Sequence, residues 1–408
     1  MSGDPVEPTS LVHLRLQADW REGHSQHTAI HHFPKVHLWR DLELLPVPLR
    51  RDLLGRPEGW ISRYEFAPGE LIPDWNPALL HRLASRHLRP RRHSAVRPSL
   101  GRFFPSGWVA EGVPGIFSQD MRPMRLAGLG AGCIVCDFNH PLAGRALTLE
   151  MEVLSVAPAE TEHGGRCTDC MADLLTGPGM QMRHQGQATD FGAPEPYRRL
   201  DEYPDSYFYS LPRLLSHLDQ QALAQLTALH GRLLAGRRRV LDLMASWDSH
   251  LPADLPVPEL TGIGLNQDEL AANPRLGRRI VQDLNQYGTL PLADASLDAV
   301  ICSLSVEYLT RPRELFQEVA RVLVPGGLFL TSFSNRWFPT KAIHLWNDLH
   351  EFERMGLVSE LFHATPAFGA PHSLSIRGLP RPEDDAHAEA SPWSDPIYAV
   401  WALTQPHR

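Results

Sequence analysis

The stretch LPLADASLDAVICSLSVEYLTRPRELFQEVARVLVPGGLFLTSF, Leu290–Phe333, decides the fold of the carboxyl-terminal half. Within it the run LDAVICSLSV reads as a strand, RPRELFQEVARVL as a helix and GGLFLTSF as a second strand. A strand, a helix and a strand in that order make a right-handed crossover between parallel neighbours. The alternation extends upstream to Arg239 through VLDLM, ELTGIGL and RRIVQDL. The expected fold there is a doubly wound α/β domain, with a parallel sheet covered on both faces.

Toward the amino terminus the texture changes. From Leu11 to Glu70, runs such as VHLRLQADW and WISRYEF alternate polar and apolar residues and are cut by Gly and Pro, which predicts short β-strands. Gly132–Phe138 and Ala146–Val156 alternate in the same way. Residues 161–210 read as a linker ending in the acidic-aromatic run DEYPDSYFY, and Leu211–Leu234 places Leu at helical spacing.

A length of 408 residues predicts two or three domains. With 43% hydrophobic and 21% charged residues the chain is of globular composition. A net charge of -8 argues against nucleic acid as a bulk partner, and the basic run Arg86–Arg97 reads as a solvated loop. No stretch reaches the apolar length of a membrane span, MSGDPVEPTS lacks the regions of a signal peptide, and five cysteines fit reduced thiols. The expectation is a cytoplasmic enzyme.

Residues 239–333 carry a resemblance. Val240–Leu243, Gly262–Leu265, Asp283, Leu290–Val300 and Arg321–Phe333 resemble the successive strand motifs of class I S-adenosylmethionine-dependent methyltransferases, the last as the family's "RVLKPGG" turn. The resemblance implies S-adenosylmethionine as cofactor, bound outside the carboxyl ends of the parallel strands where strand order reverses. Where the family reads "D-x-G-x-G-x-G", this chain keeps Asp242 but has Met244, Ser246 and Asp248 in place of the glycines. The loop LMASWDSHLP is similar to a branch of methyltransferase-like proteins without those glycines.

The resemblance implies cofactor contacts from Asp242, Met244, Ser246, Trp247, Gly262, Gly264, Asn266, Asp283, Leu284 and Ser303. Gly264 stands where the second strand of the family ends in a ribose-binding acidic residue, and Asp283 matches the aspartate beside the adenine. Glu307 and Tyr308, after the fourth strand, are the expected catalytic residues, with His250 a further candidate base. Asn335 and Arg336, after the fifth, are expected to contact the substrate, a small-molecule or peptide methyl acceptor, and Asp395 is a weaker candidate. A pseudoenzyme that keeps the fold as a scaffold is the alternative.

At Asp137–Leu147 the sequence DFNHPLAGRAL resembles the "D-x-NHPLAG-x-L" signature of FKBP-type peptidyl-prolyl isomerases of the SlyD-like branch. That implies an FKBP-like domain from residues 10–75 and 140–160, an inserted flap-like domain over 76–139, the linker 161–210 and a Rossmann-like methyltransferase domain over 211–408. Trp20, Trp39, Trp60 and Phe66 are the expected lining of an FKBP-like cleft, and a protein client is the expected partner. Counterparts of the family's cleft aspartate and tyrosine are missing, so a binding or chaperone role fits this half as well as peptidyl-prolyl isomerisation.

No metal is expected. Cys133 and Cys136 sit three apart in a strand, where side chains point to opposite faces. Cys167 and Cys170, with His163 and His184 nearby, form a better-placed cluster, and the histidines between His24 and His37 follow from a chain with 21 of them.

Overall fold

The computed structural model describes residues 4–89, 98–158, 164–177, 183, 186–192, 195–349, 351–385, 388–389 and 391–406. Of the expected features, His163, His184 and the end of the basic run, from residue 90 on, lie outside the described residues. The chain forms two compact units. One comprises Met1–Arg91, Leu100–Gln187 and Leu374–Ser394, the other Arg92–Ser99, Ala188–Ser373 and Asp395–Arg408. The boundaries differ from those expected at 161 and 211, because Ala188–Ser210 packs with the second unit and Leu374–Ser394 with the first.

In the first unit β1 (Leu11–Glu22) and β2 (Ser25–His37) form an antiparallel hairpin, and Gly23 takes φ +57° in its turn. Alternation in β1 buries Val12, Leu14, Leu16, Ala18 and Trp20 on one face. Further strands of this unit are β3 (Ile61–Phe66), β4 (Leu80–Ala84), β5 (Phe103–Pro105), β6 (Pro123–Gly130), β7 (Cys133–Asp137) and β8 (Leu147–Ala157). β8 pairs with both β1 and β3, giving the order β2-β1-β8-β3, while β4-β7-β6-β5 make a second antiparallel sheet inserted in the chain between β3 and β8.

The second unit carries β9 (Arg239–Leu243), β10 (Glu259–Gly264), β11 (Arg278–Val281), β12 (Leu297–Ser303) and β13 (Leu323–Phe333), which are parallel in the order β11-β10-β9-β12-β13. β14 (His372–Arg377) begins in this unit, where His372 stacks on Trp401 at 5.6 Å, and the last strand, β15 (Ile397–Leu403), runs antiparallel to β13. This is the expected Rossmann-like sheet, and strand order reverses at β9. Its core holds Leu241, Val300, Phe316, Phe329, Phe333, Trp346 and Phe362.

One helix starts later than its leucine spacing predicts. It spans Gln220–Leu234, because the Asp219 carboxylate accepts from the Gln221 and Ala222 N–H groups and caps it there. Leu211, Leu214 and Leu215, read as part of its apolar face, are instead exposed in an irregular segment.

Candidate functional site

The carboxyl ends of the parallel strands open into a cavity of about 550 Å³. At the end of β9, Asp242 is buried and burial pushes its carboxyl up to about 7. The chain then turns through Met244, whose φ of +56° is the left-handed conformation that a glycine adopts without cost. The loop therefore retains a glycine-like backbone at the first replaced position. Its backbone N–H and side chains are tied down in turn. The Ala245 N–H donates to Ile263 O at 2.8 Å, Ser246 Oγ donates to Glu269 Oε2 at 2.6 Å, and Trp247 Nε1 donates to Leu215 O at 3.4 Å. Asp248 accepts from the His250 N–H at 2.8 Å and pairs with its ring.

From β10 the Asn266 amide caps the helix Gln267–Ala272 through the Asp268 and Glu269 N–H groups, and its other end donates to Tyr209 O and Ser210 O. Asp283 and Leu284 follow β11, and Asp283 accepts from the Asn285 N–H at 2.9 Å. After β12, Ser303 lies 3.5 Å from His230 Nε2, and burial lowers the His230 imidazole to about 4. After β13 come Asn335, Arg336, Trp337 and Phe338.

Most of the residues expected from sequence meet in this cavity: Asp242, Met244, Ser246, Trp247, Gly264, Asn266, Asp283, Leu284, Ser303, Tyr308, Asn335, Arg336 and His250 all line it. Two do not. Gly262 sits one step back along β10, where an added Cβ would stand 2.6 Å from Leu276 Cδ1, so its smallness serves packing and not ligand contact. Glu307 lies in the short helical turn Val306–Tyr308, in which successive side chains diverge. Tyr308 faces the cavity while Glu307 is sealed in the interior, its Oε2 without a hydrogen-bond partner among the described residues, and burial pushes its carboxyl up to about 8. The expected catalytic role of Glu307 is corrected on that ground.

Two further residues are engaged elsewhere. The Tyr308 hydroxyl accepts from the Phe338 N–H at 2.9 Å, and Arg336 pairs with the buried Asp395 at 3.0 Å. Asp395 thus holds Arg336 in place.

Sequence reading missed the segment that covers the cavity. Asp205, Tyr209, Arg213 and His217, assigned to a linker and a helix, line it. The strap is pinned by Arg199 to Asp205 at 2.7 Å and by the fully buried Lys341 to Asp201 at 3.1 Å and Asp205 at 3.2 Å. The Arg213 guanidinium lies 4.3 Å from the Phe208 ring and 4.9 Å from that of Phe338, contacts that close the cavity wall. The run DEYPDSYFY was the available signal, since so many aromatic residues are unusual in a solvated linker.

The cysteines are all free, and among the described residues no group of three or more His, Cys, Asp or Glu is placed to hold a metal ion. In the first unit Trp20 is buried and stacks on His27, Arg56 lies over Trp60, Arg40 lies over Trp39, and Phe66 is buried.

Residues 250–331 match the family described as a methyltransferase domain. Over 73 residues the chain is 33% identical to the ubiquinone/menaquinone biosynthesis C-methyltransferase UbiE of Laribacter hongkongensis, covering 18% of this chain and 29% of that protein. Over 37 residues it is 54% identical to the thiol S-methyltransferase TMT1B of Rattus norvegicus, covering 9% of this chain and 15% of that protein. The matched stretch spans less than a third of these curated relatives. A solved S-adenosylmethionine-dependent methyltransferase from Mesorhizobium loti aligns at 19% identity and TM-score 0.30 over 43% of this chain and 95% of that one. One from Archaeoglobus fulgidus aligns at 16% identity and TM-score 0.32 over 45% of this chain and 94% of that one. The match to the methyltransferase domain family thus falls in the carboxyl-terminal region, over residues 250–331, and it supports S-adenosylmethionine as the cofactor.

Proposed function

We propose that the second unit transfers a methyl group from S-adenosylmethionine to a small-molecule or peptide acceptor. The observation that carries this reading is the convergence of Asp242, Met244, Ser246, Asn266, Asp283 and Ser303, from four different strand ends, on one cavity at the strand-order reversal. The donor set fits the cofactor: carboxylates and amides for a nucleoside and an amino acid, and a glycine-like turn at Met244 that lets backbone come close. When bound, the cofactor supplies an electrophilic methyl group. The chain's own part is positioning. Met244, Asp283, Leu284, Ser303, Tyr308, Asn335 and Phe338 all line the cavity, and in this reading Asp283 and Leu284 take the nucleoside while Tyr308, Asn335 and Phe338 take the acceptor. Tyr209, Trp337 and Phe338 exclude water, and no acid–base residue is required for in-line displacement.

For the first unit the reading is an FKBP-like module that binds a protein or peptide client. Its support is the DFNHPLAGRAL signature and an antiparallel sheet interrupted by an inserted one. An isomerase function is not part of the proposal.

The test is incubation of the full chain with methyl-labelled S-adenosylmethionine and fractionated small-molecule and peptide extracts. Label is expected in a discrete acceptor fraction. Binding of the demethylated cofactor with no label transferred to any fraction would instead support the scaffold.

A further inference from the structure

At the end of β10 there is room for hydrogen alone. A Cβ on Gly264 would stand 2.2 Å from the Ala245 carbonyl oxygen and 3.1 Å from Leu270 Cδ2. The loop after β9 lies across this strand end, held by the Ala245 N–H on Ile263 O. No acidic side chain can project from position 264, so the ribose-binding carboxylate that the resemblance places there would come from another part of the cavity.

Five carboxylates line the cavity: Asp205, Asp242, Asp248, Glu269 and Asp283. Asp205 is neutralised by Arg199 and Lys341. Asp242, at the carboxyl end of β9, is 4% exposed, and burial favours its uncharged form. Asp248 is paired with the His250 ring at 3.1 Å, and Asp283 turns back onto the Asn285 and Gln286 N–H groups of its own loop.

Glu269 remains, in the first turn of the helix that follows β10. It is 8% exposed, and its carboxylate is gripped on both oxygens: Ser246 Oγ donates to Oε2 at 2.6 Å and the Arg213 N–H donates to Oε1 at 2.7 Å. Each oxygen retains a lone pair, so the group can accept two further hydrogen bonds in a fixed orientation.

We propose that Glu269 supplies the ribose-binding carboxylate that Gly264 cannot carry, accepting from the cofactor's 2′- and 3′-hydroxyls while Ser246 and the Arg213 backbone hold it in place. This rests on the methyltransferase reading. It also accounts for two departures together, since Ser246 replaces a motif glycine and Glu269 replaces the strand-end acid.

The experiment is calorimetry on the full chain with S-adenosylhomocysteine and its 2′-deoxy analogue, for the wild type, Glu269→Gln and Glu269→Asp. The wild type is expected to favour the ribose form by about tenfold or more. Glu269→Gln should lose about tenfold for that form with less than a twofold change for the deoxy form, and Glu269→Asp should keep part of the preference. Equal losses for both ligands would mean that Glu269 only braces the loop, and would overturn the assignment, as would a wild type indifferent to the 2′-hydroxyl. A wild type that binds neither ligand removes the methyltransferase reading itself, an outcome distinct from binding without ribose preference.

Discussion

Met244 holds a left-handed backbone without being glycine, at a cost of roughly 1 kcal/mol, and the neighbouring chain accommodates it because Gly264 is bare. Adding one methyl at that point, Gly264→Ala, drives a Cβ into the Ala245 carbonyl. It is expected to cost about 1–3 kcal/mol in denaturant unfolding and to weaken ligand binding at the displaced loop. The buried acids make a second residue-level prediction. Burial raises Asp242 from 3.8 to about 7 and Glu307 from 4.5 to about 8, so the fold favours their protonated forms. Their contribution to stability is complete below about pH 4 and is lost as pH rises through 7 to 8. Asp242→Asn and Glu307→Gln should each flatten that decline and raise the melting temperature at pH 8 relative to the wild type; a decline as steep as before would contradict the burial argument.

The crossover elements of the second unit were legible because their signal is local: Val300, Phe316, Val319 and Phe329 fall at strand and helix periods within one stretch of sequence. The aromatic run DEYPDSYFY signalled a packed segment, but where the strap sits was not legible, because what places it is non-local. Lys341 reaches Asp201 and Asp205 across the chain, and no pattern near DEYPDSYFY announces that pairing. Leu211, Leu214 and Leu215 keep helical spacing but stay outside the helix, since the Asp219 cap sets its start. Asp219→Ala should cost about 1 kcal/mol by chemical unfolding. Lys341→Met removes one of the two cations on the buried Asp205 and should cost about 1.5–3 kcal/mol, with loosened hydrogen exchange over 199–217 as its local sign.

Composition and charge described a globular chain, and among the described residues no helix is long and apolar enough to cross a membrane. What sequence order concealed is that the chain returns to its first unit late, through Leu374–Ser394. There Leu374 and Ile376 are buried, Arg377 donates to Asp173 O at 3.0 Å, and Gly378 takes φ +78° against the His32 carbonyl. A fragment ending at residue 187 lacks that stretch and is expected to unfold without a cooperative transition, whereas the full chain should show one. The central claim is that the strand ends and the strap form one cofactor site. Calorimetric titration of the full chain with S-adenosylhomocysteine tests it most directly. Saturable binding at one site per chain, abolished by Ser303→Trp with the fold intact, is the predicted result; no heat of binding from folded protein, or binding untouched by Ser303→Trp, would contradict it.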